Sequence, residues 1–294
     1  MPPHDAPLPP PATPLFTLAL EVRRCRFELR LNDLPVLSYD VSDTEISTEL
    51  PLNQSLLTGD NVLTMSLSAG RLGNGDPALL SRPGAACVAE VTIRPMSAPD
   101  GARRRLAGLA FEGQRFQSLD PAVDAPSIVT PGPMAVLAET ETQALGRVAF
   151  ALQTPFQPWL WSRAERLTLD EPTAAELLDQ YRQFWAAVDR RDLAALRAAT
   201  HENAREIQSA FFLGSLNEAH QMLELEDTLR RNGTVVEPLE LDLRMELLAD
   251  GRVARLVARD GRSPVRVSDP EIEATMAFNL LYCRVPGRGW VQIR

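Results

Sequence analysis

The order of apolar and polar residues divides the chain into a first half typical of strands and a second half that begins with helices. Before about residue 150, apolar and polar residues alternate at 18–22 and 27–31, and similar apolar runs occur at 62–67, 87–93 and 148–152. A period of two predicts half-buried strands. Gly- and Pro-containing turns separate these runs, so the pattern predicts an all-β sandwich, jelly-roll-like in form.

Helical periodicity begins after Pro172. Thr173 and Glu176 have the spacing of a capping box, which predicts that a helix begins at Thr173. Its apolar positions recur with the helical period, which predicts a buried face. They are Leu177, Leu178, Tyr181, Phe184, Trp185 and Val188. Asp192 is expected to start a short second helix, and a further helical stretch runs from about 203 to 231, where Gly214-Ser215 can interrupt it.

The period returns to two after Pro238. The run 239–247 alternates Leu or Met with charged residues and predicts a strand, and Asp250-Gly251 predicts a hairpin turn into 252–258. Two more strands are expected at 275–285 and 290–293. Helices followed by an antiparallel meander sheet make an α+β domain, so the predicted fold class is mixed.

We therefore predict four segments. Residues 1–14 form a disordered Pro-rich leader and residues 15–155 the β-sandwich domain. Residues 156–171 form an aromatic linker that contains Trp159 and Trp161, and residues 172–294 form the α+β domain.

Composition removes several classes of function. The 294 residues include 30 arginines and no lysine, so Schiff-base chemistry and a phosphate-binding Walker lysine are excluded. A net charge of −9 makes nucleic acid an unlikely partner. Three widely spaced cysteines favour neither a zinc site nor a disulfide framework. No signal peptide or membrane-spanning run is recognised. We expect no cofactor, no metal, and a bacterial cytoplasmic protein.

Residues 26–67 resemble the galactose-binding-like jelly-roll domains. The segment 31–36 (LNDLPV) is similar to the turn that precedes a strand in that family, and Gly59, Asn61 and Leu63 match a second turn. Asp33 stands where the family usually has glycine. The resemblance implies a fold, in which Gly59 and Asn61 build a turn, and it carries over no sugar-binding residue.

Residues 174–199 resemble the opening helices of NTF2-like domains, with 189–196 (DRRDLAAL) between the first two helices. That family encloses a small-molecule pocket or dimerises through its curved sheet. The chain departs from it by continuing as helix where the family places strands.

A ligand pocket in 172–294 would be lined by Tyr181, Trp185, His201 and Tyr282. Within it, His201 is a candidate general base if Asp192 or Glu202 orients its imidazole. Helix capping explains the same residues without a function.

Partner binding is the leading hypothesis for the whole chain. Candidate contact residues are Trp159 and Trp161 and the acidic group Glu224, Glu226 and Asp227. The sequence holds no recognisable catalytic motif, and an acidic helix surface favours association with another protein. We therefore expect a non-catalytic interaction protein of the immunity or secretion-accessory kind, with a homo-oligomer possible. The alternatives are the small-ligand or enzymatic pocket and a carbohydrate-binding sandwich.

Overall fold

The computed structural model describes residues 12–41, 43–72, 76–98, 102–231, 233–259, 261–269 and 274–294. Most of the predicted leader, residues 1–11, lies outside the described residues. The chain divides into two compact units, with the boundary between Gln157 and Pro158. It is a β-rich mixed fold with several antiparallel sheets and few helices.

The first unit contains two five-stranded antiparallel sheets. Its strands are β1 (Pro14–Arg23), β2 (Arg26–Leu31), β3 (Leu34–Asp40), β4 (Glu45–Pro51), β5 (Gly59–Ser68), β6 (Gly70–Arg71), β7 (Pro77–Ala78), β8 (Ala86–Pro95), β9 (Arg104–Glu112), β10 (Arg115–Leu119), β11 (Val129–Glu139) and β12 (Gln143–Leu152). One sheet has the order β10-β9-β8-β1-β4 and the other β11-β12-β5-β2-β3, while β6 and β7 pair separately.

Alternation in the sequence explains the core of this unit. Leu18, Leu20 and Val22 of β1 are buried, as are Leu29 and Leu31 of β2, in agreement with the predicted strands. Burying each such side chain stabilises the fold by about 1.5–3 kcal/mol relative to its exposure.

Asn61 is the residue that organises the two turns carrying the jelly-roll resemblance. It is fully buried, and its Oδ1 accepts from the Leu57 N–H at 2.8 Å and from Asn32 Nδ2 at 2.9 Å. Its Nδ2 donates to the carbonyls of Leu57 and Gly59, both at 2.9 Å. The asparagine satisfies main-chain groups that would otherwise be buried without partners.

Strand β11 begins at Val129, inside the Pro-rich stretch 120–133. It contains Pro131 and Pro133 and lies at the edge of its sheet, pairing only with β12. A proline is tolerated at an edge because its missing N–H can point away from the ladder. Whether a strand lies at a sheet edge depends on which strands pair, so the local sequence does not show it.

The second unit combines five described helices with two small sheets. The helices are α1 (Glu171–Asp189), α2 (Leu193–Ala199), α3 (His201–Ala210), α4 (Leu216–Met222) and α5 (Leu225–Arg230). The strands are β13 (Val235–Val236), β14 (Leu243–Leu248), β15 (Val253–Ala258), β16 (Arg266–Asp269), β17 (Ala274–Ala277), β18 (Tyr282–Val285) and β19 (Gly289–Gln292). The sheet orders are β13-β16-β17 and β14-β15-β18-β19.

Helix α1 begins earlier than the capping-box spacing predicts. Asp170 is the N-cap, and its side chain accepts from the Thr173 N–H at 2.9 Å, while Pro172 lies in the first turn. The predicted apolar face is buried at Leu177, Tyr181 and Phe184. Asp192 caps α2 as expected, accepting from the Ala195 N–H at 3.0 Å.

Two predicted strands are shorter than their patterns. Strand β14 begins only at Leu243, and Leu241 is 67% exposed. The run 275–285 divides between β17 and β18, which belong to different sheets. Alternation describes how a strand would bury its residues, but a strand also requires a neighbouring ladder. Among the described residues, no helix is long and apolar enough to cross a bilayer.

Candidate functional site

A groove of about 850 Å³ lies in the second unit. It is bordered by α1, by α2, by the first turn of α3 and by the hairpin of β18 and β19, and it is partly open to solvent. We call it the α1–β19 groove. Ligand pockets of proteins usually measure about 300–1,000 Å³, so the groove is large enough for a small molecule or a short polypeptide segment.

Small side chains leave the space that the groove occupies. Ala187 of α1 and Ala195, Ala198 and Ala199 on or beside α2 line it. The floor is apolar because Phe184 and Tyr282, both almost fully buried, contribute to it. The groove is therefore an apolar depression, and it is open because the short side chains of these alanines do not fill it.

Charged side chains around the groove are mostly basic. Arg182, Arg190 and Arg288 line it, against one carboxylate, that of Glu202. Arg182 also pairs with Asp179 at 3.0 Å. The arginines of the lining therefore outnumber its carboxylates, on a chain whose net charge is −9.

Arginines engage the carboxylate of Glu202. Arg288 donates to its Oε1 at 2.7 Å, and Arg205 lies 3.5 Å from its Oε2. Burial alone would raise the pKa of Glu202, but Arg288, with the charges of Arg205 and His201, holds that pKa below its ordinary value. A carboxylate with a lowered pKa is a weak base near neutral pH.

His201 lines the groove and is exposed to solvent. Neither acid considered as its partner serves that purpose. Glu202 is engaged by arginines, and the side chain of Asp192 caps α2. The imidazole is therefore placed to contact a ligand, but no carboxylate fixes its orientation through a hydrogen bond among the described residues.

Tyr282 and Tyr181 have different roles. Tyr282 lines the groove, and its hydroxyl has no hydrogen-bond partner among the residues that the structure describes. Tyr181 is fully buried in the core, where its hydroxyl donates to the Leu280 carbonyl at 2.7 Å and accepts from the Leu256 N–H at 3.0 Å. Tyr181 thus connects two segments of backbone and does not line the groove.

Trp185 also lies outside the groove lining. Its indole N–H donates to the carbonyl of Glu237 at 2.9 Å, which fixes the connection to the sheet of β13. Of the four residues predicted for a pocket, the groove brings together His201 and Tyr282.

Several polar residues of the groove were not predicted from the sequence, among them Arg190, Arg288 and Gln292. Arg288 lies in the turn between β18 and β19, and Gln292 is only 5% exposed at the end of β19. Gln292 Nε2 donates to the Arg294 carbonyl at 2.9 Å, while its buried Oε1 has no partner among the described residues. Arg288 and Gln292 both belong to the hairpin of β18 and β19, and nothing in its local sequence indicates that the hairpin faces α1.

Glu206, one turn after Glu202, is a buried carboxylate outside the groove lining. Its Oε1 accepts from the Leu160 N–H at 2.6 Å. Burial raises its pKa, although the Leu160 hydrogen bond and the charge of Arg294 act in the opposite direction. The two carboxylates of α3 are therefore shifted in opposite directions by their surroundings.

The residues predicted for partner contact lie in the second unit. Trp159 and Trp161 are buried. Glu224 and Asp227 are exposed, and Glu226 is paired with Arg197 and, at 3.2 Å, with Arg230. Glu224 adopts φ of 53° and separates α4 from α5. The three acids therefore do not form one continuous helix face.

Within the described ranges, no three His, Cys, Asp or Glu side chains are grouped to hold a metal ion. Comparison with protein-family models, with curated proteins and with solved structures finds no match for this chain.

Proposed function

We propose that this chain is a non-catalytic interaction protein, and that its second unit binds an acidic segment of a partner protein in the α1–β19 groove. The observation that carries the proposal is the positive lining of a partly open, apolar groove on an acidic protein. Carboxylates on a partner would pair with Arg190 and Arg288, and apolar side chains between them would lie on Phe184 and Tyr282.

Charge complementarity supports an acidic ligand. Arg288 is already paired with Glu202, so a ligand carboxylate must share or replace that partner, whereas exposed Arg190 is accessible. Opposite charges around a binding surface raise the association rate and select against wrong partners. We expect weaker binding at higher salt, because exposed charges are screened over about 8 Å at physiological ionic strength.

The state of Glu202 and His201 supports binding over catalysis. An enzyme that uses His201 as general base would gain from a free carboxylate to orient the ring and from exclusion of water. Glu202 is held by arginines and the groove is partly open. The competing proposal, an enzyme or small-ligand binder at the same groove, requires closure around the ligand.

The experiment is selection of displayed random heptapeptides on the immobilised full-length chain, followed by affinity measurement of the enriched peptides. We expect enriched peptides to be acidic. The double variant Arg190→Gln/Arg288→Gln should bind them about tenfold more weakly, since an exposed charge pair contributes up to about 1 kcal/mol.

Arg259→Gln is the matched control, because Arg259 is 86% exposed in its side chain, pairs with Asp242 at 3.1 Å and lies outside the groove. It should bind like the unaltered chain. Enrichment of neutral or basic peptides, no enrichment at all, or equal loss in both variants would contradict the proposal. Turnover of a small molecule that His201→Ala abolishes would favour the enzyme.

Further assignments belong with this proposal. We infer that the two sheets of the first unit form the jelly-roll-like sandwich and that residues 172–294 form the α+β domain. A cytoplasmic location is supported by Cys25, Cys87 and Cys283, which are buried and form no disulfide, as in reducing compartments. A sugar-binding face would need several exposed aromatic rings. Among the described residues of the first unit, Tyr39 is the aromatic residue whose side chain is exposed.

A further inference from the structure

Strand β19 is an edge strand. In the sheet order β14-β15-β18-β19 it has β18 on one side and no strand on the other among the described residues. Edge strands present unpaired N–H and C=O groups that can pair with another chain. The same strand supplies Trp290, Val291 and Gln292 to the lining of the α1–β19 groove. The edge strand of the sheet therefore borders the groove.

The hydrogen bonds of the hairpin show which backbone groups point outward. The Ile293 N–H donates to the Leu281 carbonyl at 2.9 Å, so Ile293 points its backbone towards the strand that precedes it. Alternate residues of an antiparallel strand point their N–H and C=O in opposite directions. Trp290 and Gln292 therefore direct theirs away from β18, and these groups have no partner among the described residues.

The side chain of Gln292 also has an atom without a hydrogen-bond partner at this position. Its side chain is 95% buried in the groove floor, and its Oε1 has no hydrogen-bond donor among the described residues. A buried polar group without a hydrogen-bond partner destabilises the fold. The groove thus requires both donors and acceptors from its occupant, which a polypeptide backbone supplies and a simple anion does not.

We propose that the acidic segment binds by strand addition, as a fifth strand alongside β19 that exchanges main-chain hydrogen bonds with Trp290 and Gln292. This inference rests on the proposed function, since it specifies how that segment is held. Main-chain pairing gives affinity and alternate side chains give selectivity in such complexes. One row of side chains would face Phe184 and Tyr282, and carboxylates at the rim would reach Arg190 and Arg288.

The test uses an acidic heptapeptide enriched on the full-length chain and versions of it N-methylated at single positions. In an added strand, every second amide points to β19. Methylation at those positions should weaken binding at least about tenfold, and methylation at the intervening positions should have little effect. Amide hydrogen exchange of Trp290 and Gln292 should slow at least tenfold in the saturated complex.

Two variants separate the backbone from the side chain. Gln292→Pro removes the outward N–H, which an edge strand tolerates, while Gln292→Leu removes the amide side chain and keeps the N–H. We expect the proline variant to bind about tenfold more weakly than the leucine variant, with both melting cooperatively. If Gln292→Pro does not fold, the methylation pattern and the exchange data decide alone.

Failure of this inference differs from failure of the proposed function. One outcome is that acidic peptides require Arg190 and Arg288 and yet show neither an alternating effect of N-methylation nor slower amide exchange at Trp290 and Gln292. That result would overturn strand addition and leave groove binding in place. A concentration-dependent dimer that Gln292→Pro dissociates would assign the edge to a second copy and would also overturn the inference.

Discussion

The rings of Tyr181 and Tyr282 lie 5.5 Å apart between their centroids, yet their hydroxyl groups serve different purposes. The hydroxyl of Tyr181 bridges the Leu256 N–H and the Leu280 carbonyl. It takes the place of a ladder bond where the pairing of β15 with β18, seen at Ala254 and Tyr282, has ended. The hydroxyl of Tyr282 has no such partner in the described ranges and lies at the groove.

Tyr181→Phe should therefore affect mainly stability, and Tyr282→Phe mainly peptide binding. Removing the Tyr181 hydroxyl leaves a buried N–H and a buried C=O without partners, so we expect unfolding to become easier by about 1–3 kcal/mol. Tyr282→Phe should leave stability within about 0.5 kcal/mol and weaken peptide binding. Urea denaturation and peptide titration of both variants check this; equal destabilisation would contradict the assigned roles.

Glu202→Gln tests the competition for Arg288. The substitution removes the carboxylate that pairs with Arg288, so an acidic peptide no longer competes with it, and we expect binding to tighten by about twofold to fivefold. Glu218→Gln is a suitable control, because Glu218 accepts from the Gly214 N–H outside the groove. Weaker binding by Glu202→Gln would show that the carboxylate helps to hold the ligand.

The same glutamate gives a pH dependence of defined sign. Its pKa is lowered in the fold by Arg288, so its ion pair stabilises the fold above the ordinary pKa of 4.5 and is lost as pH falls through the lower folded value. Stability measured below pH 4.5 should therefore fall less steeply in Glu202→Gln than in the unaltered chain. Parallel curves would contradict the assigned pairing.

Much of the second unit follows from local patterns. The apolar stripe of α1, the cap at Asp192 and the Asp250-Gly251 hairpin are local because periodicity and turn chemistry involve neighbouring residues. The groove is not local. It brings Ala187 and Arg288, separated by about a hundred residues, to the same place, and no pattern within either segment indicates the other.

Two residues of the pocket prediction show the same limit. Tyr181 and Trp185 belong to the apolar stripe of α1, and both were expected to line a cavity. Their polar atoms instead bond to the backbone at Leu280 and Glu237. The helical period identifies the buried face of α1. Which residues of that face contact the core and which border the groove depends on the segments packed against the helix.

Glu206→Gln should change stability with pH in the opposite sense to Glu202→Gln. Burial raises the pKa of Glu206 above its ordinary 4.5. The folded chain then binds this proton more tightly than the unfolded chain, so stability falls as pH rises from 4.5 through the higher folded value. Glu206→Gln should remove that fall while keeping an acceptor for the Leu160 N–H. Thermal melts from pH 4 to 8 check this, and an unchanged slope would contradict it.

Gly146→Ala tests the close approach of β12 to β10 in the first unit. A Cβ at Gly146 would lie 2.7 Å from the ring of Phe116, which is itself buried against Phe111. Overpacking of this kind costs about 1–3 kcal/mol. In a Phe116→Leu background the ring is gone, so the same Gly146→Ala change should cost less, and the difference measures the contact. Denaturant unfolding of the four chains provides the cycle; an equal cost in both backgrounds would place the strain elsewhere. Gly214→Ala, whose new Cβ would lie 3.5 Å from Glu218, should be close to neutral.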